Sequence, residues 1–417
     1  MRRLAVVQVA YALAEVGPDA VGGAEQIVST LDRALAAAGH RSIVVAPSGS
    51  RVAGELVATG PVPAQFDAGS RAAASRQQGA VLARVLEAAQ PDLVHLHSVD
   101  LHDHLAVCDG LPVLATLHLP VSFYPPALFA PRAGGRVTFQ FVSASQRRTA
   151  PPSLADAPVI PNGVDLSLFR PRRPRRGFAL ALGRVCPEKR FDRALDAAAR
   201  AGVPLVIGGR VYPFPDHVRH FQTEIAPRLG PRARFAGPLA LARKRRLLAA
   251  ARCLVVASDV AETSSLVALE ALASGTPVVA WRAGALPEIV EHGRTGFVVD
   301  GQAELADALV AAAALDGAAC RQAAELRFGA ARMSEAYFAL YAAVSRFRHL
   351  AHDYILRMDK RPAEATEPRS KDAPAQPAPK DHDSHGTPFE RVPGPGPNDQ
   401  GKGAAGREAL DRIEHNH

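Results

Sequence analysis

Glu262 and Glu270 stand eight positions apart across the start of an apolar run, inside ETSSLVALEALASGTPVVAWRAGALPEIVEHGRTG at residues 262–296. Glu262 precedes the expected helix and Glu270 lies within it, so the two need not share a face and do not read as an acid–base dyad. Each carboxylate can instead accept two hydrogen bonds from a vicinal diol. Between them the first helical amides, at Ser265, Leu266 and Val267, lack intrahelical acceptors and can hold an anion. A third acid, Glu288, closes the next short segment. Solvated helix acids are the bland alternative. The loop–helix–strand–loop order nevertheless suits a unit that holds an anionic, hydroxyl-rich ligand at the ends of parallel strands.

Two further constellations fit the same ligand. Gly183-Arg184-Val185-Cys186-Pro187-Glu188-Lys189-Arg190 follows an apolar strand candidate. Arg184 offers a planar fork of donors and Lys189 a mobile point charge, a pair suited to a diphosphate. A solvated basic loop with Glu188 as counter-charge competes with that reading. Gly22 and Gly23 precede a helix, where glycines let backbone amides approach an anion, and a tight turn explains them equally well. Their spacing is not GxGxxG, so a dinucleotide fingerprint is absent.

These residues need a scaffold, and the chain alternates short apolar runs with amphipathic ones. Strands are expected at Leu4–Val9, Ser42–Ala46, Leu93–Leu96, Val113–Leu117 and Phe139–Val142, with helices at about Glu25–Ala37 and Ala72–Ala89. The pattern breaks at VDLSLFRPRRPRRG, residues 164–177, which reads as a linker. It restarts with strands at Phe178–Leu182, Leu205–Ile207, Arg234–Ala236, Leu254–Ala257, Pro277–Ala280 and Phe297–Val299. Helices are expected between them, including His217–Leu229, Lys244–Ala250 and Ser265–Ala273. Short all-apolar strands separated by helices require parallel sheets covered on both faces. Phe328, Met333, Tyr337, Phe338 and Tyr341 recur at helical spacing, and from about Arg361 the chain turns to Pro, Ala, Gly, Asp and His, an expected disordered tail.

At 417 residues the chain holds two domains and a remainder. Cys108, Cys186, Cys253 and Cys320 are scattered without a CxxC pair or a close histidine, so they read as filler in a reducing compartment and not as a disulfide frame or a zinc site. No run reaches a membrane-spanning length, and MRRLAVVQVAYALAEVG reads as a first buried strand rather than a leader. The formal charge is +8; residues 351–417 carry −2, leaving +10 on the body, which should attract anions. The basic runs RRPRR and Arg243–Arg246 lack interleaved aromatics, so nucleic acid is not an expected partner.

The chain resembles the family-4 glycosyltransferases, retaining enzymes of the two-domain GT-B fold. GGAEQIV at Gly22, DLVHLH at Asp92, TLHLP at Thr116, VSASQR at Val142, VIPNGVD at Val159, GRVCPEKRFDRAL at Gly183, FAGPL at Phe235 and the segment from Glu262 to Val299 carry the likeness. It implies two doubly wound Rossmann-like domains facing across a cleft. The expected boundaries are 1–168 for the acceptor side, 169–177 for the linker, 178–325 for the nucleotide-sugar side, 326–350 for helices crossing back, and 361–417 for the tail. By the resemblance Glu262 contacts donor-sugar hydroxyls, Glu270 the ribose, and Arg184 and Lys189 the diphosphate. Gly22 and Gly23 close over phosphate and acceptor, and His118 positions the sugar; His95 and His97 read as packing residues. Thr263 and Ser265 depart from the family's usual Pro and Gly, which leaves the donor open.

The implied activity is retaining transfer of a hexose-type sugar from a nucleotide diphosphate sugar to an acceptor hydroxyl. Front-face attack would let the leaving diphosphate take the acceptor proton. No DxD-type pair lies in a suitable loop, Asp381-His382-Asp383 being in the tail, so no metal or other cofactor is expected. A nucleotide-sugar epimerase, a sugar phosphorylase on the same fold and a non-catalytic nucleotide-sugar binder are the alternatives. Expected partners are the donor and a carbohydrate, lipid-linked or small-molecule acceptor. The expected location is cytoplasmic, with weak peripheral attachment to anionic membrane through the linker arginines.

Overall fold

The computed structural model describes residues 2–20, 22–63, 67–130, 137–172 and 175–359, with side chains to residue 346. The expected tail at 361–417 lies outside the described residues. Among those described, β1 (Ala5–Val9), β2 (Arg41–Ala46), β3 (Glu55–Ala58), β4 (Leu93–Leu96), β5 (Val113–Leu117) and β6 (Val137–Phe141) form one sheet. Its order is β3-β2-β1-β4-β5-β6. A second sheet, ordered β12-β11-β10-β7-β8-β9, contains β7 (Ala179–Leu182), β8 (Leu205–Gly208), β9 (Ala233–Phe235), β10 (Cys253–Val256), β11 (Val278–Trp281) and β12 (Gly296–Val299). Every neighbouring pair is parallel.

The helices that cover the sheets are α1 (Gly23–Ala37), α2 (Ala68–Ala89), α3 (Ala144–Arg147), α4 (Phe191–Ala201), α5 (Pro215–His220), α6 (Leu241–Ala250), α7 (Leu266–Ala273), α8 (Leu286–Ile289), α9 (Gln302–Ala311), α10 (Gly317–Arg327) and α11 (Ala330–Asp359). Central strands such as β4, β7 and β10 are buried at every residue because helices close both faces, which is why they read as apolar runs interrupted only by His95 in β4. The two doubly wound domains face one another across a cleft, the GT-B arrangement. In each sheet the chain reverses direction beside the first strand, between β1 and β4 and between β7 and β10. Loops leaving those strands' C-terminal ends converge on the crevice.

The last helix joins the two halves. It follows α10 of the second domain, yet Met333, Tyr337 and Tyr341 of α11 are buried against Leu4, Ile27, Leu31 and Leu114 of the first. Tyr341 Oη lies 2.8 Å from His95 Nδ1, and Tyr337 Oη donates to Gln140 Oε1 at 2.8 Å, so both buried phenols find partners. Val164 pairs with Gly329 where α11 begins. Val164 and Phe169 are buried in the second domain's core, so the expected linker starts with anchored residues.

Elsewhere the elements differ from the sequence expectation for local reasons. The expected helix His217–Leu229 is α5, a wider π turn over Phe221–Ile225 and a tight turn over Ala226–Arg228. Pro227 sits in that tight turn, lacking the amide that would extend the helix. Strand β3 and helix α10 were not expected. The α2 helix starts at Ala68, earlier than expected, because Asp67 caps it by accepting the Ser70 amide at 2.7 Å.

One glycine sets the position of the basic loop. A Cβ on Gly209 would collide with the carbonyl of Gly183, the residue that opens that loop. Gly209→Ala is therefore expected to destabilise the protein by about 1–3 kcal/mol through overpacking of backbone against backbone. Urea unfolding would measure it.

Candidate functional site

Lys189 sits in the loop after β7 and Glu262 in the loop between β10 and α7. Lys189 Nζ meets Glu262 Oε1 at 2.6 Å, with both side chains largely shielded from solvent. Arg184, half-buried, lies in the same loop as Lys189. Arg190, with its backbone in the left-handed region at φ 48°, ends the loop and pairs with Asp192 and Asp259, which fixes the loop's far end. Asp259 N donates to the Glu188 carbonyl at 3.0 Å, so the two strand-end loops are bound together through backbone as well.

Glu270 lies one helix further in. Only 2% of it is exposed, and Lys244 of α6 bonds its Oε1 at 2.6 Å. Its Oε2 has no hydrogen-bond partner among the described residues. Burial raises the Glu270 pKa, and the Lys244 charge opposes that shift. A small cavity of about 40 Å³ adjoins the pair, lined also by Gln26, Thr30, Phe169 and Leu266 from both domains. Lys244 is the site residue that sequence reasoning missed. Nothing in a basic run on α6 marks which of its members faces an acid 26 positions away.

Ser265 caps α7 without a side-chain bond, and the Leu266 and Val267 amides open the helix between the two glutamates. Gly22 caps α1, and Gly23 faces the Leu266 side chain across the cleft, close enough that a Cβ would lie 3.4 Å from its Cδ1. The Glu25 carboxylate folds over Gly22, so the protein supplies its own acid at the helix start where an external anion was expected. Burial raises the pKa of Glu25.

His118 leaves β5 towards the cleft. Its Nε2 lies 3.0 Å from His97 Nδ1, and the two rings are stacked with centroids 5.4 Å apart. Although partly exposed, His118 is desolvated enough that its pKa falls to about 4. Burial, together with neighbouring histidines, holds His95 and His97 well below the ordinary imidazole range. His95 is bonded to Tyr341 and to Thr116 Oγ1 at 2.7 Å, a packing residue as its strand position implied.

Two contacts bridge the cleft beside these groups. Thr263 Oγ1 donates to the His118 carbonyl at 2.7 Å. Glu288 accepts the Ala144 amide at 3.0 Å and the Ser145 amide at 2.5 Å, at the start of α3. The cysteines are free and buried. Cys186, Glu188 and His217 bring three donor atoms within 4.8 Å of one another, so Cys186 does have a histidine nearby in space. Burial raises the Cys186 thiol to about 12. No helix among the described residues is long and apolar enough to cross a membrane.

Residues 21–168 match the model described as Glycosyltransferase Family 4, and residues 177–314 match that described as Glycosyl transferases group 1. The D-inositol 3-phosphate glycosyltransferase of Nocardioides sp. is 36% identical over 170 residues, which are 34% of this chain and 37% of that protein. That of Mycolicibacterium paratuberculosis is 36% identical over 192 residues, 40% of this chain and 43% of the relative. The chain thus spans less than half the length of these curated relatives. Among solved structures, AviGT4, a glycosyltransferase involved in avilamycin A biosynthesis, aligns with a TM-score of 0.59 at 26% identity, covering 82% of this chain and 98% of that one. Sucrose-phosphate synthase from Thermosynechococcus elongatus aligns with a TM-score of 0.66 at 22% identity over 82% of this chain and 100% of its own, a likeness of fold. The chain is a GT-B-fold protein related to the family-4 glycosyltransferases.

Removing Lys244 strands the Glu270 charge in the interior. Lys244→Ala should cost about 3 kcal/mol, the usual penalty for breaking a buried pair. A carboxyl whose folded pKa is raised binds its proton more tightly when folded, so its contribution is intact at low pH and fades as pH rises. The deficit of Lys244→Ala is therefore expected to be larger at pH 8 than at pH 5 in urea unfolding. His118 carries the opposite sign. With its folded pKa near 4 against 6.5 unperturbed, the unfolded chain binds the extra proton, and stability is lost as pH falls from about 6.5 to about 4. Its imidazole resonance should titrate near pH 4, and His118→Asn should flatten the acid-side decline in melting temperature.

Proposed function

We propose that this chain is a retaining glycosyltransferase that moves a hexose-type sugar from a nucleotide diphosphate sugar to an acceptor hydroxyl without a metal. The observation that carries the reading is the meeting of Lys189 and Glu262 at 2.6 Å on two strand-end loops, with Glu270 buried one helix further in. A cation and two carboxylates able to bind diols are thereby gathered on one side of the cleft, the kinds of group that a donor's diphosphate, hexose and ribose need. The relatives' names support transfer of sugar as the reaction class.

In this reading the donor exchanges partners with the resting pairs. Lys189 moves from Glu262 to the diphosphate alongside Arg184, and the α7 amides of Ser265, Leu266 and Val267 add their partial charge. Glu262 then accepts from hexose hydroxyls and Glu270 from the ribose, while Gly22 and Gly23 approach phosphate and acceptor. The anomeric carbon's bond to the β-phosphate oxygen breaks as its bond to the acceptor oxygen forms on the same face. The acceptor proton passes to the departing phosphate. Lys189, Arg184 and the amides stabilise the charge that develops on that phosphate. His118, neutral at pH 7, hydrogen-bonds to the sugar and holds it in place rather than delivering a proton. Residues 1–168 serve the acceptor, 169–177 link, 178–325 hold the donor, and 326–350 cross back.

UDP-, GDP- and ADP-hexoses, each with and without chelator and with inositol phosphates first in the acceptor panel, test this reading. One donor is expected to be consumed with retention at the anomeric carbon and without loss to chelator. Lys189→Ala, folded by circular dichroism, should turn over at least about tenfold more slowly. Isomerised donor without transfer would indicate an epimerase, phosphate-dependent cleavage a phosphorylase, and binding without turnover a non-catalytic binder; each overturns the proposal.

A further inference from the structure

A groove of about 580 Å³ lies between the linker and α6, and none of its lining residues also lines the cavity at Glu270. Arg172, Arg175 and Arg176 form one wall and Arg243 and Arg246 the other, over a floor that includes Phe178 and Leu247. Among the described residues no carboxylate lines it. Arg175 is committed to the fold, donating to the Arg252 and Leu315 carbonyls. Arg172, Arg176, Arg243 and Arg246 are exposed, and among the described residues no side-chain hydrogen bond or ion pair holds their guanidinium groups. Several other arginines of this domain are paired with acids, although Arg200, Arg219 and Arg234, scattered singly, are not. Arg190 and Arg193 share Asp259, Arg228 faces Asp196, and Arg282 faces Asp300.

Gathering four unneutralised guanidiniums in one concavity raises their mutual repulsion, and the apolar floor focuses the field. Planar guanidinium forks match phosphate oxygens in pairs, and the volume falls in the range of small-ligand sites. We propose that this groove is a second anion site, separate from the sugar-transfer cleft, which binds a compact ligand carrying two or more phosphate groups. That chemistry occurs in free polyphosphates and in bisphosphorylated lipid headgroups. Spacing on α6 supports the separation, because Arg243 and Arg246 face the groove while Lys244 faces Glu270.

Calorimetry with tripolyphosphate and co-sedimentation with phosphatidylcholine vesicles, with and without cardiolipin, test the site in the full-length chain. Both are run in a Lys189→Ala background so that the cleft does not compete for the probe. The Arg243→Ala/Arg246→Ala double variant and Arg176→Ala are compared with their parent, and Arg282→Ala, on a paired surface arginine outside the groove, is the control. Loss of tripolyphosphate affinity by at least about tenfold in the groove variants alone establishes the site with a soluble ligand. Loss confined to cardiolipin vesicles establishes it with a lipid source. Equal binding by parent and groove variants in both assays, or no binding by the parent in either, overturns it. Equal melting temperatures across the variants show that the change is local.

Discussion

A carboxylate removed from water needs a cation, hydrogen-bond donors or a proton, and the cleft of this protein supplies one lysine for Glu262 and another for Glu270. Lys189 and Glu262 pair at 2.6 Å between strand-end loops, and Lys244 and Glu270 pair at the same distance deeper in. Neither pair can form unless the second sheet brings β7 beside β10 and packs α6 against α7, so the strand order is a precondition of the charge pattern. The pairs also explain how a ligand-seeking surface is kept intact while no ligand is bound. An unpaired glutamate at the depth of Glu270 would take up a proton, and a protonated carboxyl is a poorer acceptor for a diol. The Lys244 charge opposes the upward shift that burial gives Glu270, and the pair leaves Oε2 uncommitted.

The same requirement extends across the cleft. Glu288 takes its compensation from two amides at the start of α3, in the opposite domain. Thr263 ties the loop that carries Glu262 to the His118 carbonyl. With α11 burying two tyrosines in the first domain's core, the relative placement of the halves rests on polar contacts at the site and apolar contacts behind it. The apolar contacts are non-directional and extensive, whereas the polar bridges are a few exchangeable hydrogen bonds, two at Glu288 and one at Thr263. Rearrangement of the cleft therefore has a low-cost side, at Glu288 and Thr263, and a costly side, at α11.

The fold was legible from the chain because both sheets are buried on two faces, so their strands are short unbroken apolar words with helices between. What escaped was half-exposed or non-local. Strand β3 sits at a sheet edge with both ends exposed, and Glu-Leu-Val-Ala carries too little pattern to separate it from loop. Helix α10 is rich in alanine but has Gly317, Arg321 and Gln322 breaking its apolar stripe. At the site, Glu262, Glu270, Arg184 and Lys189 were legible as residues capable of the chemistry. Their partners were not. Lys244, the Glu25 carboxylate over Gly22, the His97–His118 contact and the proximity of Cys186 to His217 all join separate elements, and a linear pattern records no distance across elements.

Thr263 shows how such a distance changes the meaning of a departure from a family pattern. Read along the chain, threonine and serine in place of the family's usual proline and glycine leave the donor open. In the folded protein the Thr263 hydroxyl is turned away to the other domain, donating to the His118 carbonyl, a bond proline could not make. Ser265 is buried and leaves its side chain out of the helix cap. One substitution thus acts on how the halves are held and the other on the space beside the α7 amides. Because that carbonyl is His118's own, the contact couples the loop carrying Glu262 to the histidine on the facing sheet.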